Sequence, residues 1–84
     1  MDREEIIRVL DKHLTRVMDD DSLHIEDEKQ LHDYGVTSLD IVEIVSASMR
    51  DLKIKIPRPE LGEIENIGQL VDKFQEYADK SENS

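Results

Sequence analysis

Ile6, Ile7, Leu10, Leu14 and Val17 recur at spacings of three and four with charged residues between them, and this period constrains the chain more than any other feature. Side chains so spaced share one face of an α-helix but would scatter over both faces of a strand. The segment from about Asp2 to Met18 is therefore predicted as an amphipathic helix with one stripe to bury. The same period returns twice. Ile41, Val42, Ile44, Val45, Met49 and Leu52 cover one broad face of a helix opening at Ser38, with Asp40, Glu43, Arg50 and Asp51 opposite and Leu39 and Ser46 outside the apolar arc. Ile67, Leu70, Val71, Phe74 and Tyr77 form the stripe of the last helix. Such stripes are hidden by packing against one another, which predicts an all-α chain, a small helical bundle with an aliphatic core.

The punctuation agrees with this period. Thr37 and Asp40 have the spacing of a capping box, in which each side chain satisfies an orphan amide at a helix start, and Asn66 with Gln69 offers a similar start for the last helix. Pro57 and Pro59 break the chain after "KIKIP", read as an extended linker with Ile54 and Ile56 turned inward, and a short helical turn is expected around Glu60 to Ile64. Between Asp19 and Gly35 a long loop is expected, pinned by Leu23, Ile25, Leu31 and Tyr34, with one helical turn near Glu28 to His32. A loop of that length in a small domain is often functional. Gly35 supplies the tight geometry that ends it. One domain over residues 1–78 is expected, with "DKSENS", residues 79–84, as a disordered tail.

Composition narrows the function. A chain of 84 residues buries only about 60% of its unfolded surface, enough for a compact bundle but not for a deep enclosed active site, which argues against an enzyme. A net charge of -10 has the wrong sign for binding a phosphate backbone, so nucleic acid is excluded as a partner. It suits brief visits to enzymes with basic surfaces, because charge complementarity mainly raises association rates. There is no cysteine, hence no disulfide, no Cys-based zinc site and no Cys nucleophile. The N-terminus lacks a signal-peptide pattern and no apolar run approaches membrane-spanning length, so a cytoplasmic monomer without a membrane partner is expected.

His13, His24 and His32 share no metal-ligand spacing and read as solvated or partly packed side chains. Asp19, Asp20, Asp21, Glu26, Asp27 and Glu28 lack the alternation and central glycine of a calcium loop, so no metal site is expected. No catalytic residues are assigned, since Ser38 has no glycine-flanked nucleophile elbow. From local pattern, Ser38 reads as a residue placed for capping. Leu39 and Val42 flank the helix start, where an exposed apolar pair would mark a contact patch and a buried pair would be core.

The segment "GVTSLDIVEIV" resembles the attachment motif of acyl carrier proteins: a glycine, two residues, then Ser-Leu-Asp opening the second helix of a four-helix bundle. "EEIIRVLDKHL" is similar to the family's first helix, the Ile-Pro of "KIKIP" to the step after the second, "ELGEIENI" to the short third helix and "QLVDKFQEY" to the fourth, so the resemblance covers almost the whole chain. It implies a bundle of three main helices and one short one. It implies that Ser38 carries phosphopantetheine, added by a phosphopantetheinyl transferase, and that the arm's thiol holds acyl intermediates as thioesters for fatty-acid or polyketide enzymes such as an acyltransferase or ketosynthase. By the same analogy Leu39, Asp40, Val42 and Glu43 belong to the surface that these partners grip. A peptidyl or aminoacyl carrier and a cofactor-free helical interaction module are the alternatives.

Three departures stand out. Thr37 occupies the place where the family usually has Asp, which leaves the attachment chemistry intact and bears on transferase recognition. Ser48 falls on the apolar face where the family commonly has leucine, placing a hydroxyl in or near the acyl pocket, where it can bond back to a carbonyl one turn earlier. Between Val36 and Ile56, Asp40, Glu43 and Asp51 balance Arg50, Lys53 and Lys55, whereas the family's second helix is usually strongly acidic. "EIVSASMRDLKIKIP" followed by "NIGQLVD" also resembles discrete carriers that serve polyketide pathways in trans, including those supplying building blocks for beta-branching.

Overall fold

The computed structural model describes residues 2–82. Its elements in order are α1 (Arg3–Met18), a four-residue 3-10 turn (Leu31–Tyr34), α2 (Ser38–Leu52), α3 (Arg58–Leu61) and α4 (Ile67–Glu82), with no strand among the described residues. The three long helices are the three amphipathic segments, and α1 packs on both α2 and α4. Ile6 and Leu14 of α1, Ile44 of α2, and Val71 and Phe74 of α4 are wholly buried at the centre. Ile54 and Ile56 close the core from the linker, buried as the alternation in "KIKIP" implies.

Helix ends are closed locally. The amides of Asp19 and Asp20 return to the carbonyls of Arg16 and Thr15, and those of Lys53 and Ile54 to Arg50 and Met49, two Schellman motifs. Each puts a non-glycine residue in the left-handed region, Asp19 at φ 52° and Lys53 at φ 56°. Gly35 adopts φ 87° after the 3-10 turn, as its place in the sequence requires.

The loop before Leu31 is tied to α1, to the 3-10 turn and to α4. Asp11 of α1 accepts the amide of Ile25 at 2.9 Å, and the Tyr34 hydroxyl accepts from the amide of Glu26 while donating to the carbonyl of His24. The first amides of α4 point into the same loop: Ile67 donates to the carbonyl of Lys29 at 2.8 Å and Gly68 to that of Asp27 at 2.9 Å. A β-carbon at Gly68 would lie 3.2 Å from the Asp27 carbonyl oxygen, a tight contact that would push the loop back by a few tenths of an ångström. Arg3 joins Asp27 of the loop to Asp72 of α4.

Three expectations are corrected. The helical turn before Gly35 lies at Leu31–Tyr34 rather than Glu28 to His32: the Asp33 carboxylate accepts the Gln30 amide at 2.9 Å and the Gln30 carbonyl accepts the Asp33 amide at 3.0 Å, which fixes the start at Leu31. The short helix is Arg58–Leu61 rather than Glu60 to Ile64: Pro59 sits in its first turn, where the missing amide has no partner to lose. α4 does not end at residue 78 but continues through Glu82, since Tyr77 and the buried Ala78 extend its apolar stripe and Lys80 pairs with Glu76 one turn back. Asn83 and Ser84 of the expected tail lie outside the described residues.

Of the histidines, His24 and His32 are exposed, but His13 is buried. Its Nε2 lies 2.7 Å from Asp51 Oδ2, and Lys12 reaches the same oxygen at 2.8 Å, so one carboxylate straps α1 to α2. The Lys12 ammonium and then the His13 ring hold the Asp51 carboxyl down at about 2. Among the described residues no three His, Asp or Glu side chains converge as a metal site, and no helix is long and apolar enough to cross a membrane.

Candidate functional site

The start of α2 is held by its neighbours, not by Ser38. Thr37 Oγ1 accepts the amide of Asp40 at 3.2 Å and Asp40 Oδ2 accepts the amide of Thr37 at 3.1 Å, the reciprocal box expected from the sequence. The next amide, that of Ile41, goes to the Thr37 carbonyl at 3.0 Å. Ser38 is exposed, and its hydroxyl makes no hydrogen bond among the described residues. The amides of Ser38 and Leu39 are among the orphan donors of a helix start, and together with the helix dipole they favour negative charge at this point. A phosphate esterified to Ser38 would stand beside them.

Around this hydroxyl the surface is mixed. Leu39 is 81% and Val42 54% exposed, side by side at a spacing of three. The helical period sets Val42 in the apolar arc and leaves contact patch and core both open; the structure puts it at the edge of that face, half exposed. Glu43 is exposed and meets Arg50 only at 3.9 Å. Asp40 is half-buried and its carboxylate is engaged in the cap, so it offers partners less free charge than Glu43.

One turn below Ser38, a cavity of about 470 Å³ opens between α2, the 3-10 turn and α3. Ile41, Val42, Val45 and Met49 line it from α2, with Leu61, Ile64 and Leu70 opposite. Its walls are mainly aliphatic, which suits an apolar chain. Ser48 is wholly buried and does not line this cavity, and its hydroxyl donates to the Ile44 carbonyl at 2.7 Å, the bond back one turn that its place in the helix implies. The serine on the cavity wall is Ser46, which the helical wheel had set outside the apolar arc. Met49, on the apolar stripe of α2, also accepts the amide of Ile56 on its sulfur at 3.4 Å and fixes the linker that closes the cavity. Arg58 on the rim carried no sequence signal, because the fold of the linker brings it there.

A serine hydroxyl left free at a capped helix start, above an apolar cavity, fits the attachment of an acyl-bearing arm. Residues 7–74 match the phosphopantetheine attachment site family. The chain belongs to that family: it is an acyl carrier protein with phosphopantetheine as its cofactor, carrying acyl intermediates for fatty-acid or polyketide synthesis. It is 38% identical over 73 residues to the polyketide biosynthesis acyl-carrier-protein AcpK of Bacillus subtilis, a match spanning 86% of this chain and 89% of that one. It is 32% identical over 73 residues to an acyl carrier protein of Saccharopolyspora erythraea, spanning 86% of this chain and 77% of the other. No solved structure gives a significant match.

Proposed function

We propose that Ser38 is the residue that carries the phosphopantetheine arm, and that the chain is a non-catalytic carrier serving polyketide enzymes. The observation that carries this reading is the Ser38 hydroxyl itself, exposed and unbonded while Thr37 and Asp40 do the capping. In a phosphopantetheinyl transferase the Ser38 oxygen attacks the pantetheine-side phosphorus of the coenzyme A pyrophosphate, the P–O–P bond breaks to release adenosine bisphosphate, and the serine proton passes to a base of the transferase; the arm's thiol then holds the acyl group. The thiol belongs to the cofactor, in keeping with a chain that has no cysteine. The polyketide assignment is supported by the name of the Bacillus relative. Acyltransferases and ketosynthases are the partners such a carrier would visit, as a monomer in the cytoplasm.

Intact mass after incubation with coenzyme A and a promiscuous transferase tests this. A phosphopantetheine increment on the native chain, absent from Ser38→Ala, is expected; no increment with several transferases would sink the proposal. Loading with acyl, malonyl and aminoacyl donors then separates an acyl carrier from an aminoacyl carrier.

For docking, we propose Leu39 and Val42 as the apolar contact and Glu43, with the cap-engaged Asp40, as the charged one. Glu43→Lys is expected to slow modification a few-fold at low salt, with the difference shrinking as salt rises. Rates that do not depend on salt in either protein would count against this electrostatic contact.

A further inference from the structure

α2 runs into a segment whose charge opposes that of the rest of the chain. Residues 50–60 hold Arg50, Lys53, Lys55 and Arg58 against Asp51 and Glu60: four of the 11 basic residues and only two of the 21 acidic ones. Both acids are drawn elsewhere. Asp51 is engaged by Lys12 and His13 of α1 at 2.8 and 2.7 Å, and Glu60 by Lys73 of α4 at 3.4 Å. Among the described residues Lys53, Lys55 and Arg58 enter no ion pair, and Arg50 has only its long contact with Glu43.

The backbone makes these cations a strip. Lys55 stands outward between the buried Ile54 and Ile56, and Lys53, at the left-handed turn that closes α2, is exposed just before them. Arg58 follows at the first position of α3, exposed and on the cavity rim, and Arg50 precedes them on the last turn of α2. Ser38 opens the same helix fifteen residues long, so the strip begins about 20 Å from the attachment point.

We infer that Arg50, Lys53, Lys55 and Arg58 form a second docking surface, for an acidic patch on an enzyme that handles the acyl group. This rests on the carrier reading, since the partner is the enzyme that receives the arm from Ser38. The charge pattern selects this occupant. A nucleic acid would extend past four cations into a strongly acidic surface, and a second copy of this chain brings another net charge of -10. A compact acidic patch on a globular enzyme meets only the strip. An enzyme touching both ends of α2 would read its orientation, with the apolar pair near the arm and an ion-pair contact at the far end.

Two measurements test this. In the first, the isotope-labelled apo-protein is titrated with a hexaglutamate peptide at low salt, a probe that does not depend on Ser38. Amide shifts are expected within residues 50–58 and lost in the Lys53→Glu, Lys55→Glu, Arg58→Glu variant; no shifts there, or the same shifts in the variant, would overturn the proposal. In the second, acyl transfer from the loaded carrier to the enzymes encoded beside it is timed, with modification by a promiscuous transferase as the control for Ser38. A fall of about tenfold in transfer for the variant, narrowing at high salt while the circular dichroism spectrum stays native, is expected. The Lys53→Gln, Lys55→Gln, Arg58→Gln variant should lie between. Transfer unaltered in both variants would refute the strip and leave the attachment site standing, whereas a native chain that no transferase modifies would refute the attachment site and leave the titration to judge the strip.

Discussion

The first turn of α2 and the turns below it contain similar residues in opposite circumstances. Ser38 is exposed with a free hydroxyl, while Ser48 is wholly buried with its hydroxyl donated to Ile44. Val42 stands half in solvent, while Val45, one turn on, is buried. The difference is in surroundings, not residue type: the lower turns are enclosed by α1 and the linker, and the upper turn projects beyond them. The attachment proposed for Ser38 would alter a hydroxyl of the upper turn without disturbing the packing below.

That contrast can be broken in order of effect. Ser38→Ala should abolish phosphopantetheine incorporation and leave the melting temperature where it was, while Ser48→Ala should leave incorporation intact; intact mass and thermal melts give both readings. Ile44→Ala should cost about 2–5 kcal/mol in urea unfolding, because it opens a cavity at the centre, whereas Val42→Ala should stay within about 0.5 kcal/mol. Equal losses would mean that the upper turn is packed after all. Thr37→Ala should cost about 1 kcal/mol through the lost cap. Asp51 gives the smallest expected effect and a defined sign. Its carboxyl is lowered from 3.8 to about 2 by Lys12 and His13, so its stabilising contribution is full above pH 4 and is lost as pH falls through 2. Melting temperature measured from pH 5 to 2 should therefore fall more steeply in the native chain than in Asp51→Asn.

The sequence made the helices and the capping box legible because each depends on residues within four positions of one another, whereas Ser38 reads locally as a capping residue and is singled out only by the family resemblance of the wider chain. Asn66 is a case in point: its side chain accepts the amide of Gln69 at 2.9 Å, as the spacing implies, but Gln69 reaches back to the amide of Glu65 rather than that of Asn66. What stayed hidden is set by distant segments. His13 meets Asp51 across two helices, and Val42 is exposed because nothing packs over the edge of its stripe. Asp19 and Lys53 end their helices in a conformation usually left to glycine, so the composition there gave no sign of a Schellman closure. The last turn of α4, Asp79 to Glu82, contains no apolar residue, so no stripe marks it in the sequence.

The contact between the loop and α4 bears on how the molecule opens. Amides at the first positions of a helix usually exchange with solvent quickly, but those of Ile67 and Gly68 are bonded to the carbonyls of Lys29 and Asp27. Their hydrogen exchange therefore reports on the loop rather than on fraying of the helix. Loop and α4 should release together as one cooperative unit, and that same unit borders the apolar cavity through Gln30, Leu31 and Ile67.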